Sequence, residues 1–245
     1  MLLKESAYLM NSSSSQQPYL FNNKSKAQRK ELGQFFTDSK TAEYMASMLH
    51  SVGDTPCVQV LDAGAGEGIL AEFVALRCFQ LGHRRVHAVL YEIDNDILPT
   101  LEITIERLRS TFLTSGGTLT YEIKNEDFIL SRPDKLERKF HISIINPPYF
   151  KYNSKNSKYS GSTADLFKGN PNIYASFMAV VTSCLVQNGQ MVAIVPRSFT
   201  NGLYFKGFRH YLRDVASLER MHIFRSRNRV LKKWACCKKM LFLNL

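Results

Sequence analysis

A short apolar run, Val58-Gln59-Val60-Leu61, leads into Asp62-Ala63-Gly64-Ala65-Gly66-Glu67-Gly68 and then into a helical stretch from Ile69 to Gln80. Strand, glycine turn, helix is the opening of a nucleotide-binding α/β unit, because glycine lets the turn take conformations closed to other residues and pack closely on a ligand. The alternation then continues. The pattern predicts a second strand from Val86 to Tyr91 that ends at Glu92-Ile93-Asp94, a helix over Asp96 to Thr111, and a third strand around Thr118 to Ile123 leading to Asp127-Phe128. A fourth strand, His141 to Ile145, precedes a helix from Ile173 to Val186, a fifth strand from Met191 to Val195, a helical Phe199 to Asp214 and a sixth strand from Glu219 to Phe224. Ahead of them all, Asp38 or Ser39 can cap a helix whose apolar face uses Ala42, Met45, Met48 and Leu49. Such an order predicts a doubly wound, mostly parallel sheet with ligands at its carboxyl edge.

Glycine turns of this kind serve dinucleotides and methyl donors alike. Asp62 ahead of the turn and Glu67 inside it are unfriendly to a pyrophosphate, which added carboxylates repel. A cationic, phosphate-free cofactor tolerates them, and S-adenosylmethionine is one: its amino group and sulfonium are positive, so Asp62, Gly64 and Gly66 can hold the amino-acid end. Glu92, at the end of the second strand, is placed to take two ribose hydroxyls. Asp127 can accept an adenine amino group while Phe128 packs on the ring. Spacing alone equally fits a surface carboxylate, an acidic loop and one core Phe.

The fourth strand stops on Asn146-Pro147-Pro148-Tyr149. Such an end projects an amide, ring-locked carbonyls and an aromatic face, which suits a planar base carrying an exocyclic amine. That amine is a poor nucleophile because its lone pair is delocalised into the ring. The Asn146 side-chain oxygen and the Pro147 carbonyl can each accept one of its N–H groups, pulling the nitrogen toward tetrahedral geometry. Tyr149 can stack on a base that has left its duplex. A plain Pro-Pro turn after a strand is the alternative reading of the same residues.

The remaining composition narrows the class. A chain of 245 residues that is 44% hydrophobic can bury one substantial core. With no apolar run long enough to span a bilayer and no signal peptide at Met1-Leu2-Leu3-Lys4-Glu5-Ser6, it reads as a soluble, cytoplasmic protein without a membrane partner. Its five cysteines lack C-x-x-C spacing and its six histidines are scattered, so neither a disulfide framework nor a metal site is expected. Net charge is +11, but Phe205 to Leu245 holds eleven Lys or Arg against Asp214 and Glu219, so nine of those charges lie in the final stretch. Charge alone therefore does not establish a polyanion partner.

Taken together, Gly33-Gln34-Phe35-Phe36-Thr37, Asp62 to Gly68, Glu92, Asp127-Phe128, Asn146-Pro147-Pro148-Tyr149 and Asn172-Ile173-Tyr174 resemble the successive motifs of N6-adenine-specific DNA methyltransferases of restriction–modification systems. The resemblance runs from about Leu32 to Phe224. It implies a Rossmann-like, S-adenosylmethionine-dependent methyltransferase fold and a DNA partner, with a cognate restriction endonuclease as a further possible partner. It also implies that Phe36 and Thr37 contact the methionine end of the cofactor, Glu92 its ribose, and Asp127 and Phe128 its adenine. Asn146, Pro147, Pro148 and Tyr149 form the catalytic element gripping the flipped adenine, and Lys151 with the basic loop after it touches DNA phosphate. Protein-glutamine and RNA methyltransferases share the N-P-P-Y element, and a non-catalytic nucleic-acid-binding remnant is a further alternative.

The organisation expected is a polar N-terminal arm over 1–30, a catalytic domain over 31–224 and a basic tail over 225–245, with the family's target-recognition domain absent. The resemblance implies an acidic segment and a V-L-Q-E-N-V-I-like strand where Lys232 to Phe242 stands. Back-translated and read one nucleotide earlier, that stretch allows Glu-Glu-Val-Gly-Val-Leu-Gln-Glu-Asn-Val-Ile. The expectation is a one-base frameshift near Val230, a last strand altered or missing, no aromatic near Leu231 to sandwich the base, and weakened transfer. Met240-Leu241-Phe242-Leu243 is the run that can fill the vacated slot.

Overall fold

The computed structural model describes residues 37–135, 139–150, 157–159, 161–168, 172–224 and, as backbone, 238–244. The elements follow in the order α1 (Ser39–Ser47), β1 (Val58–Ala63), α2 (Ile69–Gln80), β2 (Arg85–Tyr91), α3 (Leu98–Thr114), β3 (Thr118–Lys124) and a single turn, α4 (Phe128–Ser131). After these come β4 (Phe140–Ile145), α5 (Ile173–Cys184), β5 (Leu185–Pro196), α6 (Lys206–Val215), β6 (Ser217–Ile223) and β7 (Lys238–Asn244). One seven-stranded sheet results, in the order β3-β2-β1-β4-β5-β7-β6. β1 pairs in parallel with β2 (Asp62 opposite Leu90) and with β4 (Leu61 opposite Ser143), so the strand order reverses at β1 and opens a crevice at its carboxyl end.

β1, β2, β4 and β5 sort their side chains by the period-two rule. Val58 and Val60 of β1, Val86, Ala88 and Leu90 of β2, Ile142 and Ile144 of β4, and Val192 and Ile194 of β5 share a core with α1, α2 and α3. Leu61, Ala63, Val89, Tyr91, Ile145, Met191, Ala193 and Val195 share the opposite core with α4, α5 and α6. Asp62 continues the first series, and Glu92 and Asn146 lie one position past β2 and β4 in the same series. Ser143, buried within β4, donates its hydroxyl to Leu61 O at 2.8 Å and so ties the two central strands.

Asp38, rather than Ser39, caps α1, accepting from Thr41 N–H at 3.0 Å and from the Thr41 hydroxyl at 2.8 Å. The helix expected over Phe199 to Asp214 is instead split. Arg197–Thr200 forms a 3₁₀ turn, Gly202 takes φ +77°, and α6 starts only at Lys206, because a left-handed residue ends helical hydrogen bonding. α5 likewise stops at Cys184 and not Val186. Leu185 already pairs with Phe140, and the register then shifts so that Ile142 faces Gln190, with Asn188 at φ 61° in between. At the far edge, β7 inserts antiparallel between β5 and β6 (Ala193 and Met221 both opposite Leu241), so the run that includes Met240 to Leu243 lies in the sheet. Among the described residues no helix is long and apolar enough to cross a membrane, and no group of three or more His, Cys, Asp or Glu is placed to hold a metal ion.

The long basic loop after β4 is anchored where it is described. The Arg132 guanidinium pairs with Asp134 at 2.8 Å and Asp165 at 2.7 Å and also donates to Ser162 O. Thr163, buried, meets Ser176 of α5 at 3.2 Å between hydroxyl oxygens, and the Phe167 ring packs 5.4 Å from Phe208. Lys168 then passes so close to α6 that a Cβ on Gly207 would lie 1.9 Å from its carbonyl oxygen and 3.0 Å from its carbonyl carbon. Because the opposing atoms are backbone, the neighbour has no rotamer with which to yield. Gly207→Ala is therefore expected to destabilise the protein by roughly 1–3 kcal/mol, read as a lower urea midpoint with an unchanged slope; an unaltered midpoint contradicts this packing.

Candidate active site

Three carboxyl strand ends stand side by side in the order β2, β1, β4. The glycine turn after β1 is closed by backbone: Gly64 N–H and Ala65 N–H both donate to Tyr91 O, at 2.9 and 2.8 Å. Gly68 precedes α2 at φ 87°, a left-handed conformation that favours glycine, and a Cβ there would also have to displace the tip of Leu101, 2.9 Å away. Glu92, buried just past β2, reaches back to this turn. Its Oε2 accepts from Gly66 N–H at 2.8 Å and its Oε1 from Asp94 N–H at 2.8 Å, while Asn125 Nδ2 donates to its backbone oxygen at 3.0 Å.

Asp62 lies beside Glu92 and is 0% exposed. Neither of its carboxylate oxygens has a hydrogen-bond partner at ordinary distance, although the Ala71 N–H of α2 is placed to stabilise its charge. Burial first and the charge of Glu92 second push its pKa up to about 8, with the Ala71 N–H dipole working against them. Burial likewise raises the pKa of Glu92, opposed by the Asp94 and Gly66 N–H groups. Two adjacent buried carboxylates, one without a donor, make a site that favours a cation or a proton.

The far end of the crevice is aromatic. Phe128 is buried, edge-on to Tyr91 at 5.1 Å and tilted on Phe177 at 5.4 Å, and Phe177 lies 3.8 Å from where Gly64 would carry a Cβ. Asp127 caps α4 through Ile129 N–H at 3.2 Å, and its Oδ2 accepts from Lys158 Nζ at 2.7 Å and the Tyr159 hydroxyl at 2.9 Å. The basic loop thus reaches the carboxylate that the sequence assigns to an adenine amino group.

At β4, Asn146 Nδ2 donates to Thr37 Oγ1 at 3.0 Å, joining the N-P-P-Y element to the motif ahead of α1 across 109 residues. The Tyr149 hydroxyl lies against Asn146 Oδ1 and against Ile194 O of β5, so its single proton is shared between two acceptors. Its ring stands edge-on to Tyr174 at 6.4 Å, and the Tyr174 hydroxyl meets Ser198 Oγ at 3.1 Å. Pro147 is buried, and Pro148 and Tyr149 are half-buried.

Thr37, Asp62, Gly64, Gly66, Glu92, Asp127, Phe128 and Asn146 to Tyr149 thus line one edge of the sheet. Phe36, with Gly33, Gln34 and Phe35, lies outside the described residues, as do Lys151 and Leu231. Sequence reasoning missed Tyr91 and Phe177 as the rings packed around Phe128, and Lys158 and Tyr159 as partners of Asp127. Tyr91 was signalled by its place just before Glu92; for the loop residues only their basic and aromatic character was visible.

Asp62 holds its proton up to about pH 8 in the folded protein but releases it near 3.8 once unfolded. The folded state therefore binds more protons across that interval, and stability falls as pH rises through it. Thermal melts of cofactor-free protein are expected to drop between about pH 5 and about pH 8, and Asp62→Asn to flatten the decline. Identical slopes for the two proteins contradict the assignment.

Comparison with known proteins gives the family and the fold. Type II methyltransferase M.BsuBI of Bacillus subtilis is 34% identical over 212 residues, covering 83% of this chain and 41% of the relative. Type II methyltransferase M.PstI of Providencia stuartii is 31% identical over 210 residues, with the same 83% and 41% coverage. This chain thus spans about two fifths of the length of the curated relatives it matches. The type I restriction-modification methyltransferase subunit of Streptococcus thermophilus superposes with a TM-score of 0.64 at 15% identity, over 85% of this chain and 44% of that one, which shows the shared α/β methyltransferase fold. Residues 87–230, from β2 past the N-P-P-Y element to beyond β6, match the Eco57I restriction-modification methylase, and the chain belongs to that family.

Proposed function

We propose that this chain carries the methyl-transfer core of a DNA adenine-N6 methyltransferase that uses S-adenosylmethionine. The observation that carries the reading is the Asn146–Thr37 hydrogen bond, which holds the N-P-P-Y element against the motif ahead of α1, next to the buried, unpartnered Asp62. S-adenosylmethionine, when bound, supplies a methyl group on a sulfonium. The residues fit that molecule: Asp62 lacks a donor that an ammonium provides, and Gly64 and Gly66 leave backbone room beside it. Glu92 is the carboxylate for ribose hydroxyls, Asp127 and Phe128 serve the adenine, and Phe36 and Thr37 the methionine end. Lys158 and Tyr159 share Asp127 with that adenine.

On the substrate side, Asn146 Oδ1 and the Pro147 carbonyl accept the two N–H groups of the target amine. An amide oxygen has two lone pairs, so the Tyr149 hydroxyl and an amine can be accepted together. Thr37 holds the other end of the amide, which keeps the oxygen, rather than the NH2, turned to the substrate. Withdrawing both protons toward acceptors localises the nitrogen lone pair for attack on the methyl carbon. Pro147 and Pro148 fix the backbone that aims these acceptors. The base stacks on the Tyr149 ring, and basic residues of the following loop meet phosphate. Family membership favours DNA over RNA or a protein glutamine as the acceptor. A cytoplasmic setting and a cognate restriction endonuclease go with this reading, as does slowed transfer from a tail rewritten near Val230.

Incubating the purified chain with radiolabelled S-adenosylmethionine and plasmid DNA, then digesting to nucleosides, is expected to give slow but measurable label in N6-methyladenine. Asn146→Ala should lower that rate by about a hundredfold or more while cofactor affinity, measured by calorimetry, stays within about threefold. Label in RNA, in protein or in another nucleoside contradicts the reading.

A further inference from the structure

β5 leaves the sheet through Arg197–Thr200 and returns into α6 by a turn at 201–205. This turn is held from beneath. The Arg209 guanidinium donates to Phe199 O at 3.0 Å, Asn201 O at 3.2 Å and Gly202 O at 2.8 Å, so one side chain fixes three carbonyls of the turn. Leu203 rides on its outer side and is 86% exposed. A single exposed leucine is ordinary on a protein surface. This one differs in being presented by a pinned turn and in what surrounds it.

Aromatic rings connect it to the catalytic element: Tyr149 to Tyr174 at 6.4 Å, Tyr174 to Phe205 at 5.6 Å, and Phe205 to the half-exposed Tyr204 at 4.8 Å. The surface around it is cationic. Arg197 and Lys206 are exposed, and no Asp or Glu occurs between Arg197 and Arg213. An apolar knob carried on the same turn and helix start as these cations, and linked by rings to Tyr149, complements one partner, a stacked polyanion. Turning a base out of a duplex leaves an unstacked gap, and an apolar side chain inserted there offsets part of the lost stacking.

We propose that Leu203 is a wedge that enters the base stack of duplex DNA and keeps open the gap left by the extruded adenine, while Arg197 and Lys206 engage the flanking phosphates. The inference rests on the DNA methyltransferase reading. Permanganate oxidises thymines that have lost their stacked partner, so it reports extrusion on plasmid DNA without knowledge of the target sequence. With the full chain and sinefungin, a stable analogue of the methyl donor, wild type should create reactive thymines at discrete positions. Leu203→Ala should reduce them by about tenfold with filter-binding affinity within about threefold, and Leu203→Met should restore them. On single-stranded DNA, where no helix is opened, wild type and Leu203→Ala should transfer methyl groups equally. Undiminished reactivity in Leu203→Ala overturns the wedge and leaves the methyltransferase reading standing. Equal losses of binding and reactivity overturn it in favour of a simple docking contact, and a change in sedimentation in favour of a contact between copies. Wild type that binds DNA but yields no reactive thymine removes base extrusion itself, and the wedge with it.

Discussion

Parallel pairing of β1 with both β2 and β4 is the constraint on which the rest of this molecule depends. It sets Asp62, Glu92 and Asn146 at one edge and in one side-chain series, because the alternation that sends Val58, Val60 and Ile144 into the α1–α3 core continues into them. A slip of one residue in either pairing would send a carboxylate or the amide to the opposite face. The Ser143 hydroxyl on Leu61 O, buried between the central strands, resists that slip from inside the sheet. The hydrophobic register is thereby also the register of the site.

Against that frame the buried carboxylates carry a cost. Asp62 has no donor and sits against Glu92, whose two oxygens are each held by one backbone N–H, so the pair is destabilising while charged. Such an arrangement is consistent with a ligand that brings positive charge and hydroxyl donors, and it is the physical counterpart of the sequence argument that carboxylates in the turn exclude a pyrophosphate. Tyr149 adds a second form of preparation. Its hydroxyl on Asn146 Oδ1 and Ile194 O ties the N-P-P-Y element to β5, so strands on both sides of β4 position the amide.

Much of this was legible beforehand because period-two and helical patterns are local. α2 begins and ends where the glycine turn and the apolar period place it, the first four strands match their predicted centres, and the fifth contains its predicted run. What escaped depended on contacts distant in sequence. The break at 201–205 arises from Gly202 and from Arg209 reaching back to three carbonyls, which no helical period reveals. The early start of β5 follows from Phe140 pairing with Leu185, and the Asp127 contacts depend on a loop about thirty residues away folding back over α4. Lys238–Asn244 completes the sheet as an antiparallel strand, in the slot the sequence marked as altered or missing.

The proposed function stands on one site, a buried carboxylate proposed to meet a cationic cofactor beside an amide proposed to accept an amine. A crystal structure of the chain with S-adenosylhomocysteine tests it most directly. The account predicts the ligand ammonium within hydrogen-bonding distance of Asp62, the ribose hydroxyls on Glu92, the adenine against Phe128 and the sulfur facing Asn146. A ligand seated elsewhere, with Asp62 still lacking a donor, would contradict it.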